Sequence, residues 1–290
     1  MINKAIILTA GVGTRFLPLS KAVSKELMPL VDKPVIQYLL EEAMEAGVTE
    51  AIFVVSPGKK KEIEGYFKKS PKLEKLLKER KQDGLLERVQ RIEEISQKIN
   101  FVFVTQKLPL GDGHAILQAR KFIQEPCAIF TNDDIIDSPT PCLSQMIQVF
   151  KTSQKPLLAL NRLSEDKLPH YGTVDVEKIA SRVYKIKKIV EKPKAGEAPS
   201  DLAIVGRYII TPEVFEYLKK VEPNQKNEII LADALSAMIL DGKMVYGHEI
   251  EGRWLECGDI LRWLQSTFYF SLKHPEYGNV LRKYLKEIIK

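Results

Sequence analysis

The sequence has few of the residues and segments that mark several common classes of protein. It contains only three cysteines in 290 residues. They are far apart and form no CxxC pair, so neither a disulfide framework nor a zinc site is expected. No run of about 18 apolar residues occurs, which argues against a membrane-spanning helix. The apolar segment 5–8 is too short for a signal peptide, so we expect a cytoplasmic protein.

Strong charge of one sign is also missing. Lysine and arginine total 44 and aspartate and glutamate 38, which gives a formal net charge of +6. This excess suits anionic small substrates, but it is too weak and dispersed to indicate nucleic-acid binding. The four histidines are scattered and no nucleophile–histidine arrangement is evident, so metal-hydrolase and covalent mechanisms are poorly supported.

Short apolar runs alternate with helical patterns in the first half of the chain. A helix is expected at about 34–46 and should end at Gly47. The charged segment 59–98 has the pattern of an amphipathic helical insertion. The order strand, helix, strand predicts a βαβ unit and a mostly parallel sheet. The buried strands predicted here are 4–9, 51–55, 101–105, 127–131 and 157–161.

The pattern changes after about residue 162. Prolines separate short strands, which predicts an antiparallel addition to the sheet. Two helices, at about 260–272 and 276–289, are expected to end the chain. The strands predicted in this half are 172–176, 184–191, 202–210 and 244–249.

A glycine-rich turn follows the first predicted strand. Gly11 and Gly13 allow backbone N–H groups to approach a phosphate closely. The third glycine of the dinucleotide-binding fingerprint and the Gly-Lys-Ser/Thr of the P-loop are both absent. A plain tight turn is therefore about as plausible as a phosphate loop. The cations Arg15, Lys21 and Lys25 favour a polyanion ligand.

Two adjacent carboxylates, Asp133 and Asp134, follow Asn132 at the exit of the strand 127–131. Ligands bind at the carboxyl ends of strands in open α/β sheets. A carboxylate there is a hard oxygen ligand suited to Mg²⁺. The alternative is a helix cap or a turn aspartate.

Glu191 and Lys192 lie side by side before Pro193. Neighbouring side chains on a strand point to opposite faces, so a surface charge pair is one interpretation. At a strand end or bulge both side chains would instead address a ligand. Glu191 would then hold sugar hydroxyls and Lys192 a phosphate.

Gln106 is expected at another strand exit, in the segment QKLPLGDGH. Its amide can pair with the edge of a base. Gly111 and Gly113 would leave room for a flat ring. The alternative is an ordinary glycine-rich loop.

The order of these motifs resembles that of the sugar-nucleotide pyrophosphorylases. The resemblance covers nearly the full length, and the segment AIVGRY at 203–208 points to the uridylyl-transferring branch over the thymidylyl and guanylyl relatives. The segments that carry it are 4–18, 24–38, 106–115, 132–134, 171–172, 190–193 and 202–208.

The resemblance implies the nucleotidyltransferase fold. This is an α/β fold with a Rossmann-like mixed, mostly parallel central sheet, helices on both faces and C-terminal helices. The nucleotidyltransferase domain would span 1–258, with a nucleotide-binding half at 1–161 and a sugar-phosphate-binding half at 162–258. The helical insertion would lie at 59–100, and the C-terminal helices at 259–290.

The resemblance also implies the reaction. A uridylyl group would pass from UTP to α-D-glucose 1-phosphate, giving UDP-glucose and pyrophosphate by Mg²⁺-assisted in-line attack. A relative that uses dTTP or another sugar 1-phosphate, or a non-catalytic nucleotide-sugar-binding homologue, remains an alternative. A dinucleotide-dependent oxidoreductase is a distant third. The family tends to form homo-oligomers, so a dimer or tetramer is expected.

The resemblance assigns roles residue by residue. The expected metal ligands are Asp133 and Glu256. Sugar-phosphate binding would fall to Gly172, Glu191, Lys192 and Gly206. Catalysis would depend on Arg15, Lys25, Asp133 and Lys192. Nucleotide binding would involve Ala10, Gly11, Gly13, Thr14, Glu26, Gln106 and Gly111.

Two positions depart from the family pattern. Glu256 stands where an aspartate is usual, and its extra methylene puts direct metal coordination in doubt. Asp259 is a possible substitute. Asp112 replaces an apolar residue between Gly111 and Gly113, and the sequence offers no physical account of that change.

Overall fold

The computed structural model describes residues 2–289. Over that range the helices are α1 (Val35–Glu45), α2 (Lys60–Phe67), α3 (Pro71–Glu79), α4 (Asp83–Lys98), α5 (Asp112–Gln118), α6 (Cys142–Ser153), α7 (Glu213–Leu218), α8 (Leu231–Leu240), α9 (Ile260–Lys273) and α10 (Gly278–Ile288). The strands are β1 (Lys4–Thr9), β2 (Pro29–Leu30), β3 (Lys33–Pro34), β4 (Glu50–Val55), β5 (Asn100–Thr105), β6 (Cys127–Thr131), β7 (Asp134–Asp137), β8 (Leu157–Arg162), β9 (Gly172–Ala180), β10 (Val183–Glu191), β11 (Leu202–Ile210), β12 (Tyr246–Glu249) and β13 (Arg253–Glu256).

A nine-stranded mixed sheet forms the centre of the described chain, in the order β5-β4-β1-β6-β11-β8-β12-β10-β9. The first four strands are parallel to one another. Beyond β6 the neighbours are antiparallel, except for the parallel pair β8 and β12. The predicted Rossmann-like mixed sheet is therefore confirmed. The expectation that it is mostly parallel is wrong, because only four of the eight neighbouring strand pairs are parallel, and three of these four lie in the first half of the chain.

Each face of the sheet carries its own hydrophobic core. Successive residues of a strand point to opposite faces, so Ile7 lies in one core and Ile6 in the other. Helices α1 and α6 cover the first face, and α5, α7 and α8 cover the second. Strands buried on both sides read as continuous apolar runs, which explains why the sequence located them.

Most predicted elements are present, and several short ones were missed. The insertion is helical as predicted, in three helices from α2 to α4. Gly47 has a left-handed φ of 90°, as expected after a helix end. The missed elements are α5 to α8, the antiparallel pair β2 and β3, and the small antiparallel sheet of β7 with β13, which sets Asp134 opposite Glu256. Within residues 2–289, no helix has the length and apolar character needed to cross a membrane.

Candidate active site

The loops after β1 and β6 lie side by side at the carboxyl edge of the parallel strands, because β1 and β6 are neighbours in the sheet. Lys25 Nζ donates to Asp133 Oδ2 at 3.2 Å across these loops. A Cβ on Gly258 would lie 3.3 Å from Asp133 Oδ2 and 3.7 Å from Arg15 Nη1. The cations predicted in the first loop therefore meet the predicted carboxylate of the second.

A cavity of about 500 Å³ opens at this edge. It is bounded by β9, β10 and the start of α9, as well as by the two loops. The predicted site residues that line it are Arg15, Asp133, Gly172, Glu191, Lys192 and Glu256. The structure thus brings together the candidate catalytic, sugar-binding and metal-binding side chains from both halves of the sequence.

Asp133 and Lys25 form a charged pair at the cavity wall. Burial alone would raise the pKa of Asp133, but Lys25 and Arg15 lower it below its ordinary value. Burial would likewise lower the pKa of Lys25, yet Asp133 and Glu26 raise it above its usual range. Asp133 is therefore ionised at neutral pH, and its carboxylate oxygens can coordinate a cation.

Glu256 also lines the cavity and is held there by two partners. Its Oε2 accepts a hydrogen bond from the Tyr171 hydroxyl, and it lies 2.9 Å from Arg262 Nε. Burial, with Asp134 nearby, raises the pKa of Glu256 to about 7. Glu256 is thus more readily neutral than Asp133. The proposed substitute Asp259 caps α9 by accepting from the Arg262 N–H at 2.9 Å.

Asp134 lines the same cavity, but both of its carboxylate oxygens are used in packing contacts. Its Oδ1 accepts from Trp254 Nε1 at 2.6 Å, and its Oδ2 accepts from the Gly206 N–H at 3.1 Å. A Cβ on Gly206 would lie 2.2 Å from Asp134 Oδ2 and 1.7 Å from Thr131 Oγ1. Gly206 is therefore needed for the packing of Asp134, and it lies beneath the cavity wall rather than on it.

The first glycine turn lies beside the cavity. Gly13 has a left-handed φ of 74°, as a glycine readily allows. Ala10 is buried behind the turn, and Thr14 is exposed at its end. The Gly11 carbonyl accepts from Lys59 Nζ at 2.6 Å. These contacts order the turn without a ligand.

Glu26 is fully buried behind the same turn. Its Oε1 accepts from Asn132 Nδ2 at 2.5 Å, and Lys59 Nζ lies 3.4 Å from its Oε2. Burial raises the pKa of Glu26 above its usual value. In this arrangement Glu26 links the loops after β1 and β6.

The Gln106 segment is ordered by its own chain. Gln106 Nε2 donates to the Gly111 carbonyl at 3.0 Å and lies 2.9 Å from His114 Nδ1. A Cβ on Gly111 would lie 2.3 Å from the Ile229 carbonyl oxygen, and one on Gly113 would lie 2.9 Å from it. These glycines therefore admit the Ile229 backbone, which is a packing reason for both of them.

Glu191 and Lys192 do address the same cavity, because the strand β10 ends between them. Lys192 adopts a left-handed φ of 47°, and its N–H donates to the Tyr171 carbonyl at 3.2 Å. Its ammonium lies 3.6 Å from Glu191 Oε1. Gly172 is paired opposite Glu191, and a Cβ there would lie 2.9 Å from Glu191 Oε2.

Sequence reasoning missed three side chains of this region. The sequence pattern assigns Lys59 to a solvated insertion. Lys59 follows β4 at the same sheet edge, however, and this position alone could have indicated that it belongs to the site region. Arg262 lies in α9, and its contact with Glu256 depends on how this helix packs in the folded protein, which the sequence does not show. Tyr208 lines the cavity from β11 and carried no separate signal.

The chain is similar to known proteins over nearly its full length. The model of the family described as nucleotidyl transferase matches residues 4–267. The UTP–glucose-1-phosphate uridylyltransferase of Staphylococcus haemolyticus is 42% identical over 99% of this chain and 98% of its own length. The chain belongs to the nucleotidyl transferase family. This confirms the predicted fold class and enzyme class.

Two solved structures extend the similarity to known complexes. A UTP-bound UGPase from Acinetobacter baumannii superposes with a TM-score of 0.89 at 34% identity, covering 99% of this chain and 100% of that one. A UDP-glucose pyrophosphorylase complexed with UDP-glucose gives 0.85 at 36% identity, covering 94% and 100%. These nucleotidyl transferases share the fold of this chain over nearly its full length.

Proposed function

We propose that the protein is a UTP–glucose-1-phosphate uridylyltransferase. It transfers the uridylyl group of UTP to α-D-glucose 1-phosphate, which yields UDP-glucose and pyrophosphate. The observation that carries this proposal is one cavity that joins Arg15, Asp133, Glu191 and Lys192 from both halves of the chain. The 42% identity to a uridylyltransferase over almost the whole chain supports the choice of substrates.

The reaction needs no general base. A sugar phosphate has a second pKa of about 6, so it is largely dianionic at pH 7. One of its oxygens attacks the α-phosphorus of UTP, a new P–O bond forms, and the bond to pyrophosphate breaks. The main barrier is the approach of two polyanions, which fixed positive charge and in-line positioning lower.

The chain's own cations divide this task. Arg15 and Lys25, in the loop after β1, are placed to attract the triphosphate. Lys192, at the end of β10, is placed to hold the phosphate of the sugar. Glu191 would accept hydrogen bonds from the sugar hydroxyls beside Gly172. The turn from Ala10 to Thr14, with Glu26, Gln106 and Gly111, would lie on the nucleotide side.

The donor set at the cavity fits Mg²⁺. Within residues 2–289, no group of three or more His, Cys, Asp or Glu side chains could hold an ion unaided. Mg²⁺ is commonly held by one or two carboxylates together with water and substrate phosphates. Asp133 would be the first ligand and Glu256 the second. When bound, the ion would offset negative charge on the reacting phosphates.

We also propose a cytoplasmic homo-oligomer. The three cysteines are all free and buried, which suits a reducing compartment. Helices α9 and α10 expose apolar side chains, among them Phe268 and Val280. Exposed apolar surface of this kind often marks a protein interface. Sedimentation analysis of the purified chain would distinguish a monomer from a dimer or tetramer.

Pyrophosphate release from purified protein tests the proposed activity. We expect turnover with UTP plus glucose 1-phosphate and Mg²⁺, and none when either substrate or the ion is left out. A panel with dTTP and with other sugar 1-phosphates separates the related transferases. Turnover with dTTP in preference to UTP, or none with any pair, would overturn the proposal.

Asp133→Asn isolates the metal-binding assignment. The amide keeps the shape of the side chain and removes the charge that holds a cation. We expect Mg²⁺-dependent turnover to fall by about 10²-fold or more while the fold is retained, as circular dichroism would show. Asp201→Asn, which changes an exposed carboxylate, is the matched control. A normal rate for Asp133→Asn would remove Asp133 from the mechanism.

A further inference from the structure

Asp112 lines the cavity that also contains Gly172, Glu191 and Tyr208. It is the first residue of α5 and comes directly after the left-handed Gly111. The structure therefore puts a carboxylate of this chain's own on the sugar side of the site.

The Asp112 carboxylate is fixed by two main-chain donors. Its Oδ1 accepts from the Gly113 N–H at 2.7 Å and from the Leu231 N–H at 3.1 Å. Leu231 is the first residue of α8, so one oxygen joins the starts of two helices. Both hydrogen bonds that the carboxylate accepts within residues 2–289 fall on Oδ1. Oδ2 is therefore the oxygen left to accept a bond from a ligand.

The surroundings of Asp112 make an unpaired Oδ2 energetically unfavourable. Burial, with Glu191 nearby, raises the pKa of Asp112 to about 6. Asp112 is thus mostly ionised at neutral pH, and in that form it can accept hydrogen bonds but not donate them. When a partly desolvated acceptor meets a group that cannot donate, its desolvation penalty is not compensated, and binding is weakened.

We propose that Asp112 determines sugar specificity by accepting a hydrogen bond from one hydroxyl of the hexose through Oδ2. This inference rests on the proposed function. The chemical class it selects is a hexose 1-phosphate with a free hydroxyl at the carbon that faces Asp112. Glu191 and Asp112 then accept hydrogen bonds from different hydroxyls of the same sugar ring. An analogue that lacks the hydroxyl facing Asp112 is discriminated against, because the Asp112 carboxylate stays unpaired.

Asp112→Asn separates this role from a structural one. The asparagine Oδ1 still accepts from Gly113 and Leu231, while Nδ2 replaces the free oxygen and turns an acceptor into a donor. Wild type and variant are assayed with UTP and glucose 1-phosphate, and with each monodeoxy glucose 1-phosphate. The affinity for UTP is measured separately by calorimetry.

We expect the monodeoxy sugar that lacks the hydroxyl facing Asp112 to lower the kcat/KM of the wild type by about tenfold or more, as loss of a bond to a charged acceptor does. Asp112→Asn should raise the KM for glucose 1-phosphate and should no longer discriminate against that analogue. Its affinity for UTP should stay within about twofold of the wild-type value. Asp241→Asn, at the exposed end of α8, is the matched control and should behave as wild type.

Three results would overturn the inference, and they are distinguishable. If the wild type uses every monodeoxy sugar as well as glucose 1-phosphate, no sugar hydroxyl forms a specificity-determining hydrogen bond with Asp112. This result does not depend on the stability of the variant. If Asp112→Asn keeps the wild-type profile, or loses UTP affinity as strongly as sugar affinity, Asp112 has a structural role only. Absence of wild-type turnover with every sugar 1-phosphate would instead overturn the proposed function itself.

Discussion

Arg207 shows how one buried side chain organises the floor of the site. Its guanidinium is fully buried, lies 2.9 Å from Glu42 Oε2 and lies over the Phe130 ring. It also donates to the Gly206 carbonyl at 3.0 Å and to the Asp134 carbonyl at 2.8 Å. The segment that carries the aspartate pair is therefore tied to α1 through a single residue.

Arg207→Met should destabilise the protein by about 3–5 kcal/mol, because it leaves Glu42 buried without its partner. The free energy of unfolding, measured with urea, checks this value. The double variant Arg207→Met/Glu42→Leu should regain part of the loss, since neither charge then remains unpaired. A loss below about 1 kcal/mol in the single variant would show that the ion pair contributes little.

Glu256 should make the stability of the metal-free protein depend on pH. Burial, with Asp134 nearby, raises its pKa from 4.5 to about 7 in the folded protein. A group with a raised folded pKa stabilises fully below its unfolded pKa, and this contribution is lost as the pH rises through the folded pKa. The free energy of unfolding should therefore fall between about pH 5 and about pH 8.

Glu256→Gln should flatten that pH dependence, because the amide does not titrate. Urea unfolding in the presence of a chelator gives the comparison. Glu251→Gln, which changes an exposed glutamate, should leave the slope unchanged. Some slope should remain in Glu256→Gln, since the pKa values of Asp112 and Asp134 are also raised, to about 6. An unchanged slope in Glu256→Gln would contradict this account.

At the scale of elements, two helical glycines have opposite environments. A Cβ on Gly113, in α5, would lie 2.9 Å from both the Ile229 carbonyl oxygen and Leu218 Cδ2. A Cβ on Gly65, in α2, would have no heavy atom within 4 Å. Close approach of α5 to the chain before α8 thus depends on the first glycine only.

Alanine at these two positions should therefore change stability in opposite directions. Gly65→Ala should raise the free energy of unfolding by about 0.5–1 kcal/mol, since alanine favours a helix. Gly113→Ala should lower it by about 1–3 kcal/mol through overpacking. Thermal and urea unfolding measure both. A neutral Gly113→Ala would show that Ile229 moves away without cost.

The sequence was informative for elements whose signal is local. The buried strands β1 and β6 were predicted with their observed bounds, because short apolar runs need no information from elsewhere in the chain. The ladder of β7 with β13 was missed, since two four-residue strands 115 or more residues apart pair only in the folded protein. That ladder sets Asp134 opposite Glu256, so the geometry of the acidic pair was out of reach of the sequence.

At the scale of the whole molecule, the order of strands in the sheet brings the residues of the candidate site together. Placing β11 beside β6 and β8 brings the second half of the chain against the first. Motif order predicted a site shared by both halves of the chain, and six of the fifteen predicted site residues line the cavity. What the motifs did not show is the packing that fixes them, such as Lys59 on the glycine turn and Ile229 against Gly111.

The most direct test of the whole account is the effect of Lys192→Ala on the two substrates separately. In the proposed mechanism the sugar phosphate binds Lys192, and the triphosphate binds Arg15 and Lys25. We expect the KM for glucose 1-phosphate to rise about tenfold or more and kcat to fall, with UTP affinity nearly unchanged. The exposed Lys194→Ala serves as control. A fall in UTP affinity, with glucose 1-phosphate unaffected, would contradict the account.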